Sequence, residues 1–349
     1  MRFSEFRKLL KEKYIDIYFK INKLKFKKGN KILLTATDGL GDNIVRQKLL
    51  EKFLNEYGNE NIIIMCEEKT KTFLEKLGFK NIFICNSYFR KRVKGKIELI
   101  KKIANLGINK VVSVEFNQHD IFVKYLGNFE RIAYINKFDE KMNKFYDKKL
   151  SFDKKDYILV QVQNFYQEYF NEKINLENLL PNLEKLYGKN KNYKEVIAIG
   201  VGSADRKKML SPEKMAEILL YINESENKKI VLLGKGELEK KFIEELKKII
   251  NFEKYNIEDL TNKLSLTETL EIINGSFLYV GVDSGLYNFA FGFRKNIIAF
   301  FEKRNAFCHD MFENIKIIFG TESINVEKES YFGTQLLNSI IINKEILEK

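Results

Sequence analysis

Along most of this chain, short apolar runs alternate with segments whose apolar residues recur every three or four positions. A short run bounded by a glycine turn predicts a buried strand, and the longer period predicts a helix packed on it. The stretch from Lys31 to Asp42 opens the first such unit, and Ile44, Leu49, Leu50, Phe53 and Leu54 line the helix that follows. Further strands are predicted at 61–66, 81–85, 110–114 and 131–134, with helices at about 69–77, 95–106 and 116–128. Such alternation implies right-handed βαβ units and a parallel sheet. Residues 136–156 lack periodicity and read as an irregular region. Residues 157–170 read as a helix passing between domains, and 180–194, with Pro181 and Gly188, as a linker.

A second cycle then begins. Strands are predicted at 195–199, 229–233, 277–280 and 296–301, with a short one ending at Leu260. Ser211-Pro212 opens one helix, and Ser265 with Glu268 forms a capping box at the start of another. The tail reads as a final amphipathic helix carrying Leu336, Leu337, Ile340 and Ile341. The layout is therefore a basic amphipathic helix over 1–28, a Rossmann-like domain over 29–175, a second over 190–325 and a helical tail over 326–349. In the first of these, Phe3, Phe6, Leu10, Ile17, Ile21 and Leu24 are spaced for one apolar stripe, with ten Lys or Arg against three Asp or Glu. Two readings stay open for it: a surface helix on an anionic membrane, or a helix packed on the body with a solvated lysine face.

Charge and composition narrow the picture only a little. The 349-residue chain has 44% hydrophobic and 31% charged residues, which is globular composition, and no apolar run of spanning length. No secretory signal is read at the N-terminus, so the expected compartment is the cytoplasm. Cys66, Cys85 and Cys308 lack metal or redox spacing, and His119 and His309 are the only histidines, so no metal site is expected. A net charge of +13 invites nucleic acid, yet no recognition-helix, zinc-finger or RNP pattern accompanies it. No nucleic-acid partner is expected.

Chemistry enters at the glycine turns. Asp38-Gly39-Leu40-Gly41-Asp42, Gly200-Val201-Gly202-Ser203, Gly234-Lys235-Gly236-Glu237 and Gly281-Val282-Asp283-Ser284-Gly285 all fall at the carboxyl ends of predicted strands. Doubly wound sheets bind ligands there. Neither half has the dinucleotide fingerprint or a Walker-type Gly-Lys-Ser/Thr, which disfavours hydride transfer and NTP hydrolysis. A helix beginning at Ser284-Gly285 suits a diphosphate, with Arg206, Lys207 and Lys208 as nearby positive charge.

These turns, with Lys208, Ser211-Pro212-Glu213-Lys214 and Leu232-Leu233-Gly234 in the same order, resemble glycosyltransferase family nine, the heptosyltransferase-like enzymes of lipopolysaccharide assembly. The resemblance spans about residues 30–305. It implies a GT-B fold, two Rossmann-like domains facing across a cleft, with the N-terminal helix as an addition. It also implies inverting, metal-independent transfer from a nucleotide sugar, typically an ADP-heptose, to a lipopolysaccharide or other cell-surface glycan. Donor and acceptor are substrates, and no cofactor is implied. By position, Asp42 would be the general base, and Asp38, Gly39 and Gly41 would shape the acceptor-side turn. Lys208 would neutralise the leaving diphosphate. Gly202, Ser203, Asp283, Ser284, Gly285 and Leu286 would line the donor site, with Glu237 toward the nucleoside. Asn288 stands where the family usually has a histidine. Asn hydrogen-bonds but carries no charge, so a degenerate sugar-nucleotide-binding or glycan-binding protein, or a nucleotide-sugar epimerase, stays as the alternative.

Overall fold

A computed structural model of the chain describes residues 3–115, 121–127, 129–135, 144–151, 156–226, 228–320 and 331–342. It divides into two units: Met1–Asp156 with Val160–Leu179, and Tyr157–Leu159 with Leu180–Lys349. The divide falls inside the helix Ile158–Phe165 and again at Leu179/Leu180. Residues 180–194, expected as a linker, pack into the second unit: Leu183 is fully buried and its N–H donates to the Gly292 carbonyl.

In the first unit, Lys31–Ala36 (β1), Ile62–Cys66 (β2), Ile82–Ile84 (β3), Ile108–Ser113 (β4), Glu130–Ile135 (β5) and Lys148–Ser151 (β6) form a parallel sheet in the order β3-β2-β1-β4-β5-β6. The central strand β1 is buried from Ile32 onward, which is why it reads as a continuous apolar run rather than an alternation. Strand β6 lies in the region expected to be irregular. Its Lys-Lys-Leu-Ser sequence buries Leu150, exposes both lysines and sits at a sheet edge, where lysine serves to discourage further pairing and hides the strand signal. Part of the helix expected over 116–128 lies outside the described residues; Ile121–Tyr125 is a single 3₁₀ turn.

The N-terminal helix runs Phe3–Ile21 and stops short of 28. The Asn22 side-chain amide donates to the Tyr18 carbonyl at 3.0 Å, closing the last turn. Its packed face also differs from the predicted stripe. Ile15 is fully buried, and Tyr18 and Phe19 rest on the same apolar cluster, whereas Leu10, Ile17 and Ile21 point to solvent.

The second unit repeats the topology. Val196–Gly200 (β7), Lys229–Leu233 (β8), Ile257–Asp259 (β9), Leu278–Val282 (β10), Ile297–Phe301 (β11) and Ile315–Phe319 (β12) are all parallel, ordered β12-β11-β10-β7-β8-β9. Strand β12 extends the sheet beyond the last predicted strand. Ser211 caps the helix Pro212–Ser225, its hydroxyl accepting from the Lys214 N–H at 3.2 Å, and the Ser265–Glu268 capping box is formed. The expected C-terminal helix shows only Gln335–Asn338 as helical among the described residues, and 343–349 lie outside them. Among the described residues no helix is long and apolar enough to cross a membrane.

Candidate functional site

In the first unit the candidate residues surround the end of β1. The Thr37 N–H donates to a carboxylate oxygen of Glu115, just past β4, at 2.6 Å, and Glu115 is fully buried. That bond spans the point where the strand order reverses, the place where doubly wound sheets hold ligands. The Asn43 side chain then pins the turn by donating to the carbonyls of Ala36, Asp38 and Gly39 at 3.1, 3.2 and 3.0 Å. Asp38 is buried and pairs with the fully buried Arg46 at 2.5 Å, so its charge is committed to holding the turn. Arg90 reaches the Thr37 carbonyl at 3.4 Å and pairs with Glu67.

Asp42 occupies the first turn of the short helix Leu40–Val45. Gly39 before it has an ordinary φ of −56°, so any residue could adopt that backbone. A Cβ at Gly39 would come within 2.7 Å of the Asp42 carboxylate, so a larger residue there would push that carboxylate aside. Burial pushes the Asp42 carboxyl up to about 6, with the Arg46 charge pulling the other way and the Asp38 charge adding to the rise. Asp42 is therefore a carboxylate at neutral pH with unusual affinity for a proton.

In the second unit β7 and β10 play the parts of β1 and β4. The Ser203 hydroxyl donates to the Asp283 carbonyl at 3.1 Å, again across the reversal point. The Asp283 carboxylate accepts from Lys208 Nζ at 2.7 Å and from the Asn305 side-chain amide at 3.3 Å. Ser284 caps the helix Gly285–Gly292, its hydroxyl accepting from the Tyr287 N–H. Gly285 is exposed, and a Cβ there would meet nothing within 4 Å, while the first N–H groups of that helix have no intrahelical partner. Leu286 is partly buried beside it. Asn288 is buried one turn along, and its side-chain oxygen has no hydrogen-bond partner among the described residues.

The glycines of this half make way for two side chains. A Cβ at Gly200 or Gly281, which are register partners on β7 and β10, would stand 2.2 or 2.6 Å from the buried Tyr279 hydroxyl. A Cβ at Gly202 or Gly236 would come within 2.0 or 2.6 Å of the Glu239 carboxylate. Glu237 is exposed at the start of the helix Glu237–Leu246, whereas Glu239 is buried beneath these turns and its carboxyl is pushed up by burial. Arg206 turns away, hydrogen-bonded to the Tyr331 carbonyl and lying 4.6 Å over that ring.

Ser203, Lys208, Asp283, Ser284 and Gly285 thus come together, and Asp38, Gly39, Gly41 and Asp42 share one turn. Sequence reasoning missed Arg46, Glu115, Glu239 and Asn305. Two of them carried a signal: Arg46 is a lone cation one helical turn after Asp42, and Asn305 ends the polar run after β11, the strand beside β10. His309 braces the helix Gly285–Gly292 through Phe291. Its ring stacks 3.6 Å from Phe291, its Nδ1 lies 2.7 Å from the Tyr157 hydroxyl, and burial drives its pKa down to about 3, so it stays neutral.

The model of glycosyltransferase family 9 (heptosyltransferase) matches residues 125–331, more than half of the chain. The chain belongs to glycosyltransferase family 9. It is accordingly a glycosyltransferase. No curated protein matches it in sequence. Among solved structures, a glycosyltransferase of family 9 from Veillonella parvula superposes with a TM-score of 0.68 at 16% identity, covering 93% of this chain and 97% of that one. The E. coli heptosyltransferase WaaC with ADP-2-deoxy-2-fluoro heptose gives 0.62 at 14% identity, over 82% and 92% of the two chains. The E. coli ADP-heptose LPS heptosyltransferase II gives 0.59 at 16%, over 82% and 90%. At such identities the likeness establishes the fold, and the fold of this family 9 chain is GT-B.

Proposed function

We propose that this chain is an inverting glycosyltransferase that moves a heptose-like sugar from an ADP-sugar to a lipopolysaccharide or related cell-surface glycan. The observation that carries the proposal is the placing of Asp42 in the turn that leaves β1, where its neighbour Asp38 is committed to Arg46 and burial raises its own carboxyl to about 6. A base whose pKa lies near the working pH combines the right ionisation with proton affinity. Asp42 takes the proton of the acceptor hydroxyl as that oxygen bonds to the anomeric carbon. The bond from the same carbon to the diphosphate oxygen breaks, and one displacement inverts the anomeric centre.

The leaving diphosphate gains negative charge as it departs. Lys208 supplies a mobile cation, Ser284 a hydroxyl, Ser203 a second one on giving up its bond to the Asp283 carbonyl, and the N–H groups at Gly285 and Leu286 a helix N-terminus. Asp283 aims Lys208 and is free to accept a sugar hydroxyl through its second oxygen. Asn288 replaces a cation with an amide, which leaves more of the charge compensation to Lys208. With these groups in place no metal ion is required. Glu239, at the β7 and β8 turns, adds an acceptor for nucleoside hydroxyls near Glu237.

The experiment is transfer from ADP-heptose to a heptose-deficient lipopolysaccharide core, with the anomeric configuration of the product read by NMR and chelator added in a parallel assay. Inverted product formed equally with and without chelator is expected. Retained configuration, or loss of turnover with chelator, would sink the mechanism. Donor binding by thermal shift with neither transfer nor hydrolysis would move the chain to the binding-protein reading, which Asn288 favours.

A further inference from the structure

The N-terminal helix is apolar on two sides. Ile15, Tyr18 and Phe19 meet the cluster that includes Leu99, Ile103 and Phe122, and Asp16 is tied to Lys124 and, at 2.6 Å, to the Tyr125 hydroxyl. The helix is therefore fixed to the first unit by one face. At 3.6 residues per turn, Leu10, Tyr14, Ile17 and Ile21 fall within about one-sixth of the circumference, on the opposite face. Their exposures are 50, 58, 58 and 74%, and Leu9, off the stripe, is 40% exposed. Of the twelve large hydrophobic residues exposed among the described residues, five lie on this one helix. Scattered exposed hydrophobics are ordinary, but a contiguous stripe marks an interaction surface.

Charge decides the partner. Lys11, Lys13 and Lys20 are exposed along the stripe, and Lys23, Lys25, Lys27 and Lys28 are exposed in the extended segment that follows. Over the same residues the only acids are Glu12 and Asp16, and Asp16 already pairs with Lys124. An apolar stripe bordered by lysines supplies the two signals that hold a helix at an anionic bilayer, burial of apolar area and attraction to acidic headgroups. We infer that the outward face of the helix Phe3–Ile21 seats this protein on an anionic lipid surface. The inference assigns the packed reading of this segment to one face and the membrane reading to the other. Docking of this kind does not depend on which sugar is transferred.

The chain has no tryptophan, so Tyr14→Trp in the full-length protein gives a single reporter. Its emission should shift to the blue, and the protein should float with vesicles of phosphatidylcholine plus phosphatidylglycerol. Vesicles of phosphatidylcholine alone should bind at least tenfold more weakly. Ile17→Ser with Ile21→Ser should weaken flotation at least tenfold at unchanged circular dichroism, since both side chains are exposed. Each of Lys13→Gln and Lys20→Gln should cost roughly fivefold. An unshifted emission spectrum with the acidic vesicles would overturn the inference. So would a concentration-dependent dimer in sedimentation that the double serine variant abolishes, because the stripe would then be covered by a second copy.

Discussion

Each unit carries an ion pair beside the turn that leaves its first strand, and the two pairs differ in what they are free to do. Arg46–Asp38 has side-chain exposures of 0 and 4%, while Lys208–Asp283 has 50 and 17%. The sheets around them have the same strand order and both turns are bridged across the reversal point, so backbone topology does not explain the contrast. Burial does. A fully buried pair is held by its surroundings and cannot be lent to a ligand, whereas a half-exposed lysine exchanges partners at little cost. In the first unit the group left to act is consequently an acid, Asp42, standing next to a pair whose two members are held to each other. In the second unit the free group is a cation. One topology thus presents a proton acceptor at one turn and an anion seat at the other.

Breaking the buried pair should give the largest change. Asp38→Ala leaves Arg46 charged and without its carboxylate in the interior, and such a loss costs about 3–5 kcal/mol. Chemical denaturation should show a drop of that order, with transfer activity lost along with the fold. A variant as stable as the wild type would mean that Arg46 is not held by Asp38, and the contrast between the two pairs would fail.

Asp42→Asn should separate stability from activity. In the native chain the Asp42 carboxyl titrates near 6, against an unfolded value of 3.8. Because the folded value is the higher one, its favourable contribution is complete below about pH 4 and is lost as pH rises through 6. The cost at neutral pH is at most about 3 kcal/mol, from 1.36 kcal/mol per unit. The amide should therefore be more stable than wild type at pH 7.5 and lose that advantage below pH 4. Its transfer rate should fall by roughly 10²–10⁴ if the carboxylate is the base. Wild-type kcat/KM should also lose activity on the acid side with an apparent pKa near 6, a limb absent from the residual activity of the variant.

The sequence made the sheets legible because parallel strands buried on both faces read as apolar runs and their turns as glycines. Strands β1, β7, β8, β10 and β11 all announce themselves in this way. Strand β6 did not, since edge position and two lysines remove the apolar run. The N-terminal helix was legible as a helix, but not which side packs, because its apolar residues cover two faces and periodicity alone cannot choose between them. The candidate site was legible in its turns: Asp42, Lys208 and Asp283 lie at strand ends that the pattern marks. Arg46, Glu115, Glu239 and Asn305 were not, because each depends on strand order or on burial rather than on spacing. Glu239 in particular shows itself only through the glycines that make room for it.

Lys208→Met should give the smallest change in stability and so sharpen the comparison most. A pair with a half-exposed lysine contributes about 0–1 kcal/mol, so the melting temperature should barely move. Removing the cation that meets the donor's diphosphate should nevertheless weaken ADP-sugar binding about tenfold or more, since hydrogen bonds to charged groups are each worth roughly 1.5–3 kcal/mol. Calorimetric titration with ADP checks this without needing an acceptor. The acid limb near pH 6 should persist in this variant, because it belongs to Asp42 in the other unit. If Lys208→Met instead destabilised the fold as much as Asp38→Ala, both pairs would be architectural and the anion seat would have to lie elsewhere. If ADP affinity were unchanged, the helix N-terminus at Gly285 and the two serines would be carrying the diphosphate alone, and Asp283 would hold Lys208 for a purpose other than the donor.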